Sequence, residues 1–172
     1  MNETKTCEAS RVIMTELVLP NDTNTLNNLM GGRLMHWMDI VSAIAAQRHS
    51  NSIVVTASVD NISFSQPIQL GDVVTLIAFV TRSFSSSMEV YIEVVSENIP
   101  ARESERTNRA FFTFVAVDKK GKPKKTPNLV PESDKEIELY NGALRRRQLR
   151  LVLAKRMKPS EAHEVKSLFL GD

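Results

Sequence analysis

The sequence predicts an α+β domain in which a curved antiparallel sheet wraps one long, mostly buried helix. Three observations carry this reading. The segment from Met30 to His49 has helical period and is apolar around most of its circumference. One strand-like segment precedes it and four follow it. Short polar turns join the later strands, which favours antiparallel neighbours over parallel crossovers. A helix apolar on so many sides suits a sheet that curves around it better than a flat one.

The elements follow in order. Glu8 to Leu19 sets Val12, Met14 and Val18 against Ile13 and Leu17 before Pro20, and is the first strand. Pro20-Asn21-Asp22-Thr23-Asn24 turns the chain. Asparagines then supply N-capping chemistry, Gly31 and Gly32 loosen the first helical turn, and His49-Ser50-Asn51-Ser52 ends the helix. At about 100° per residue, Leu34, Trp37, Met38, Val41, Ile44 and Ala45 form the apolar face, with Arg33, His36 and Gln47 on a narrow polar edge. Asp39 belongs to neither group. It falls beside Met35, Ser42, Ala43 and Ala46, where small side chains would admit the close approach of another surface.

Ile53 to Ser65 reads as a strand whose apolar phase moves from Val55, Ala57 and Val59 to Ile62 and Phe64, which predicts a bulge near Asp60-Asn61. Pro67 and Gly71-Asp72 lead into Val73 to Arg82, apolar on both parities and therefore central. Ser83 to Ser87 is a polar loop. Met88, Val90, Ile92 and Val94 then alternate with Glu89, Tyr91 and Glu93, so one face there meets water. Glu97 to Arg106 reads as a polar connection, and Thr107 to Asp118 as the last strand, closed by the turn Lys119 to Pro123. Ser133 with Glu136 forms a capping box that opens a basic helix to about Met157, and Ser160 to Leu170 adds a short third one. The predicted division is a domain over 8–131 and a basic helical extension over 132–172.

A chain of 172 residues can bury a sizeable core without staples. The single cysteine, Cys7, excludes an internal disulfide, and the opening residues have no signal-sequence pattern, so the expected home is the cytoplasm. No apolar run is long enough to cross a bilayer, so no membrane partner is expected. A net charge of +2 is too slight to imply nucleic acid. The Arg145-Arg146-Arg147, Arg150, Lys155, Arg156 and Lys158 run could still meet a polyanion, but interleaved leucines make it read more plainly as a packed helix with a basic side.

Screening for chemistry removes most candidates. The sequence around Cys7 marks no activating residue for a catalytic thiol, the three histidines show no ligand-pair spacing, and no metal is expected. No G-x-S-x-G elbow, P-loop or dinucleotide fingerprint is present. What Gly31-Gly32 can do is present backbone N–H groups at a helix start, where negative charge is favoured; they could equally serve close packing. Asp39 is either functional or a solvated or ion-paired carboxylate beside Arg33 and His36, and Asn28 either functional or an N-cap. Asp39 lies about 13 Å along the axis from the first turn, so the two ends share a site only if two copies pack antiparallel.

The residues Leu19-Pro20-Asn21-Asp22-Thr23-Asn24, Gly31-Gly32, Trp37-Met38-Asp39, Val54-Val55-Thr56, Gly71-Asp72-Val73, Ser86-Ser87-Met88-Glu89-Val90 and Phe112 to Asp118 together resemble the hotdog-fold acyl-CoA thioesterases. The similarity is to the YciA-like and cytosolic acyl-CoA hydrolase branch and covers about Arg11 to Pro131. It implies a five-stranded antiparallel sheet around the central helix, a homodimer as the minimal active unit and a trimer of dimers. It also implies hydrolysis of acyl-CoA without a separate cofactor. By resemblance Asp39 is the catalytic carboxylate, acting as base or nucleophile. Asn28 matches a position that is Asn or Asp in the family, and Gly31 and Gly32 match the glycines that polarise the thioester carbonyl. The nucleotide end of coenzyme A calls for cations and hydroxyls, for which Arg82, Ser86, Ser87, Arg109 and the Lys119–Lys125 cluster are candidates. The alternative is a non-catalytic hotdog module that binds acyl-CoA or a protein.

Overall fold

The computed structural model describes residues 3–170 apart from 61, 63 and 65. Its strands are β1 (Thr4–Thr6), β2 (Val12–Leu17), β3 (Ile53–Asp60), β4 (Val73–Ser83), β5 (Ser87–Asn98), β6 (Glu103–Val117) and β7 (Asn128–Val130). Its helices are α1 (Gly31–Ser50), α2 (Asp134–Leu153) and α3 (His163–Leu170). Residues up to Val130 form one compact unit and those from Pro131 a second. No helix among the described residues is long and apolar enough to cross a membrane.

In the first unit β2, β4, β5, β6 and β3 lie in that order in one antiparallel sheet, while β1 and β7 form a separate parallel pair. This is the hotdog α+β architecture. Alternation puts Leu76, Ala78, Val90, Ile92, Phe112 and Phe114 on one face, all buried, beneath the buried Leu34, Met38, Val41 and Ala45 of α1. β2 and β3 are the sheet's two edges. In the second unit Ser133 and Glu136 cap α2 reciprocally, and Gln148 of α2 accepts from the Glu164 N–H of α3 at 2.9 Å.

The structure corrects several expectations. Glu8–Ser10 is a 3-10 turn, because the Ser10 hydroxyl accepts the Val80 N–H at 2.9 Å and donates to the Cys7 carbonyl at 2.8 Å; the first long strand starts only at Val12. The stretch Glu97 to Arg106 is not a long connection. Pairing runs out to Asn98 opposite Glu103, and the chain reverses through Arg102 at φ 58°. Its polar composition reflects the exposed tip of a hairpin that outruns the core. The β3 bulge lies between Thr56 and Ser58, and the strand stops at Asp60; residue 61 of the expected bulge lies outside the described residues, as do 63 and 65. α2 ends at Leu153 rather than Met157, with Lys155 at φ 56°. On α1, Ile44 is 37% exposed, whereas Ser42 and Ala46 are buried within the chain itself and cannot admit a second copy.

His49 is fully buried near the end of α1. Its Nε2 lies 3.0 Å from the Pro127 carbonyl oxygen, and Nδ1 has no hydrogen-bond partner among the described residues. Burial pushes its pKa below the usual 6.5; the Pro127 carbonyl opposes this, Lys5 adds to it, and Glu3 opposes it. Above pH 6.5 both folded and unfolded chains hold a neutral imidazole. As pH falls through 6.5 only the unfolded chain takes the proton, so stability is lost, at up to about 1.4 kcal/mol per pH unit, until the folded value is reached. The urea midpoint should therefore drop between pH 7 and 5, and less steeply in His49→Gln. Equal slopes would show that His49 does not contribute.

Candidate active site

The loop ahead of α1 is built around two polar residues. Asp22, buried, accepts the Leu19 N–H at 3.1 Å through Oδ2 and pairs with Arg33 Nε at 2.8 Å through Oδ1. Its own carbonyl accepts the Met30 N–H at 2.9 Å. Asn24 Oδ1 accepts from the N–H groups of Leu26 at 2.9 Å and Asn28 at 3.2 Å, folding the loop back on itself. Leu29 N–H then reaches the Ile68 carbonyl at 2.7 Å. The helix thus starts from Met30 at the N-cap, with no side-chain cap, so neither Asn27 nor Asn28 caps it. The N–H groups of Gly31 and Gly32 donate to no group among the described residues.

The two glycines differ. A Cβ on Gly31 would lie 3.3 Å from the Phe64 ring, so close packing explains that residue in part. A Cβ on Gly32 would meet nothing within 4 Å, so nothing inside the chain demands glycine there. Beside them opens a pocket of about 390 Å³ whose lining includes Asn28, Gly31, Leu34, Phe64, Ile68 and Asn108.

Asp39 lies two turns further along α1 and is half-buried. Arg33 is committed to Asp22; the carboxylate of Asp39 meets the edge strand, where the Thr56 hydroxyl donates to Oδ1 at 2.9 Å. Oδ2 makes no hydrogen bond among the described residues. One oxygen is therefore fixed and the other is available to accept a proton. The sequence alone does not mark Thr56, because a threonine in a strand is unremarkable by itself. At 1.5 Å per residue, Asp39 stands about 10–12 Å from Gly31-Gly32, too far for one chain to bring them to the same carbonyl.

The expected nucleotide-binding residues split. Arg82, Ser86, Ser87 and Lys119 gather at one end of the sheet: the Ser86 carbonyl accepts the Ala116 N–H at 2.9 Å, and Lys119 follows three residues later. Ser87, Val115 and Val55 form one cross-strand row, so this end is level with the Thr56–Asp39 pair. Arg109 is not brought there. It pairs with Glu93, six residues and about 20 Å along β5 from Ser87, and points away from the face carrying Ala110 and Phe112. Among the described residues no group of acidic, histidine and cysteine side chains could hold a metal ion.

Residues 26–101 match the family described as the thioesterase superfamily. YkhA of Bacillus subtilis (strain 168), named an uncharacterized acyl-CoA thioester hydrolase, is 44% identical over 144 residues, 84% of each chain. The crystal structure of an apo hexameric acyl-CoA thioesterase is 41% identical with a TM-score of 0.86, covering 88% of this chain and 97% of that one. An acyl-CoA hydrolase from Staphylococcus aureus, solved with butyryl coenzyme A, coenzyme A and coenzyme A disulfide, is 35% identical with a TM-score of 0.82, over 89% and 95%. Further structures of the staphylococcal enzyme carry alanine in place of an aspartate, of an asparagine 15 residues before it, and of a threonine 17 residues after it.

Proposed function

The chain belongs to the hotdog thioesterase superfamily as an acyl-CoA thioester hydrolase, and from that membership we propose that it releases carboxylic acid and coenzyme A at two composite sites per dimer. The observation that carries this is the separation of a carboxylate with one free oxygen, Asp39, from two unused backbone donors, Gly31 and Gly32, on the same helix. Each half is incomplete alone. The edge strand β3 offers a route to join them, since its outer side is unpaired and Ile53 and Val55 are about half exposed. Pairing two copies there sets Asp39 of one against the helix start of the other, and three such dimers would make a hexamer.

The thioester carbonyl oxygen then points at the Gly31 and Gly32 N–H groups of one subunit. Asp39 of the other takes a proton from water through Oδ2, and the water oxygen bonds to the carbonyl carbon. Negative charge builds on the carbonyl oxygen, where the two N–H groups and the helix dipole stabilise it. Collapse breaks the C–S bond, and the proton held by Asp39 passes to the leaving thiolate. Direct attack by the carboxylate, followed by hydrolysis of the anhydride, uses the same geometry. Thr56 holds the carboxylate in place for either route. The chemistry calls for no metal or cofactor besides the coenzyme A of the substrate, and a cytoplasmic location fits such a substrate.

Spacing moves the asparagine role. Asn24, Asp39 and Thr56 repeat the staphylococcal intervals of 15 and 17 residues, whereas Asn28 lies only 11 before Asp39. We therefore assign to Asn24, with its amide Nδ2 on an exposed loop, the contact to the reacting group, and to Asn28 a place in the pocket wall. Asn24→Ala should lower kcat by about 10-fold or more, the cost of losing a positioned donor, and Asn28→Ala should change KM more than kcat. The reverse pattern in steady-state kinetics would return the role to Asn28.

The hydrolase reading is tested by thiol release from short- to long-chain acyl-CoAs, with coenzyme A binding measured by calorimetry. Turnover is expected with at least part of the series. Binding without thiol release from any member would make the protein a non-catalytic acyl-CoA module.

A further inference from the structure

We propose that the pocket beside Gly31 selects acyl groups that carry a hydroxyl, and that Asn108 is the residue that reads it. This rests on the acyl-CoA reading above and deepens it by naming the class of acyl group the site prefers. With the thioester carbonyl oxygen on the Gly31 and Gly32 N–H groups, the carbonyl carbon carries two arms, the acyl chain and the sulfur. Gly31 itself lines the pocket of about 390 Å³, so one arm enters there. The sulfur arm leads to a charged nucleotide, which a pocket walled mainly by apolar side chains does not take in. The acyl chain is therefore the occupant.

The walls set what kind of chain it is. Leu34 and Ile68 are buried, Leu29 and Pro67 extend the apolar surface, and the Phe64 ring closes over Gly31. Of the polar residues in the lining, Gln66 is exposed and Asn28 half-buried, so water reaches both. Asn108 is different, at 5% exposure. Strand parity puts it on the helix-facing side of β6, where Ala110, Phe112 and Phe114 follow it and are all buried. It places an amide where the alternation calls for an apolar side chain. Other contacts hold the residue, and its Oδ1 accepts no hydrogen bond among the described residues. A buried amide in an apolar wall is costly unless it is hydrogen-bonded. A hydroxyl on the acyl chain meets that need, donating to Oδ1, and an unsubstituted alkyl chain does not. Apolar walls alone discriminate weakly against an added hydroxyl, whereas a buried partner for the hydroxyl penalises the chain that lacks it.

The test compares hexanoyl-CoA with racemic 2-hydroxyhexanoyl-CoA, racemic 3-hydroxyhexanoyl-CoA and 6-hydroxyhexanoyl-CoA, which set the hydroxyl at three depths. In the wild type, kcat/KM should be about 10-fold higher for at least one hydroxylated substrate than for hexanoyl-CoA, the size of one neutral hydrogen bond. Asn108→Leu keeps the volume and removes the amide, and should bring that ratio to one or below. Asn108→Ala should do the same where leucine is not accommodated. Circular dichroism and coenzyme A binding show that each variant is folded. Gln66→Leu removes the exposed amide instead and should keep the wild-type ratio. A wild-type ratio of one or less for every member, a preference that survives both Asn108 variants, or one lost equally in Gln66→Leu overturns the proposal. Calorimetry with analogues that hold a methylene between sulfur and carbonyl, and so cannot be hydrolysed there, reads the same preference without turnover. Equal affinity for the hydroxylated and plain analogues sinks this inference whether or not the protein is a hydrolase. Discrimination between them without thiol release from any thioester supports it while sinking the hydrolase reading.

Discussion

Replacing Asp39 with asparagine should lower kcat by about 10³-fold while coenzyme A binds as before. The size follows from the role: a positioned general base contributes typically 10²- to 10⁴-fold, and an amide at the same position has no basicity with which to take the proton from water. The choice of asparagine isolates that loss. Its carbonyl oxygen can keep the hydrogen bond from Thr56, whose hydroxyl donates to Oδ1 at 2.9 Å, so the side chain keeps its anchor and the helix its packing. Thr56→Val removes the anchor but leaves the base, and should cost much less, about 10-fold, because the carboxylate then samples other rotamers. Thiol release under saturating substrate, with binding measured in parallel, decides the matter. An Asp39→Asn enzyme that kept a tenth of its turnover would remove Asp39 from the chemistry and leave the Gly31-Gly32 donors without a base.

How this carboxylate could be found from the sequence, while its partner could not, shows what periodicity carries. Asp39 stands out because it interrupts the apolar circumference of a helix, and the helical period is written in the chain itself. Thr56 gains its meaning only when β3 is laid beside α1, a contact between residues 17 apart that no local pattern encodes. Asn24, proposed above as the contact to the reacting group, is hidden for a different reason. It sits in a run of turn residues, and the asparagines nearest the glycines drew the capping assignment; in the fold its carbonyl oxygen organises the loop and Met30 occupies the cap position. Arg109 reads as a candidate on charge alone, whereas the strand register sets it opposite Glu93, about 20 Å along the sheet from Ser87. Among the elements, those with many residues per period were legible. β1 and β7, three residues each, are too short to show one, and the β5–β6 tip is exposed on both parities, so it has no alternation to read.

Mixing two inactive variants should restore activity, because the proposed site takes its base from one subunit and its oxyanion donors from the other. Gly32→Pro is the natural counterpart to Asp39→Asn. Proline lacks the N–H that would face the substrate, its fixed φ is tolerated in the first turn of a helix, and a side chain at residue 32 meets nothing within 4 Å. Homodimers of either variant carry the same defect in both sites. A mixed dimer carries both defects in one site and neither in the other, so it should run at about half the wild-type rate, and a randomly reassembled mixture at about a quarter. Purifying mixed dimers through two different affinity tags separates this from simple averaging. If base and donors instead belonged to one chain, every site in the mixture would carry a defect and activity would stay at the level of the parents. Recovery would thus establish the composite site directly, since the 10–12 Å between Asp39 and Gly31-Gly32 is a property of every α-helix and does not change with the ligand.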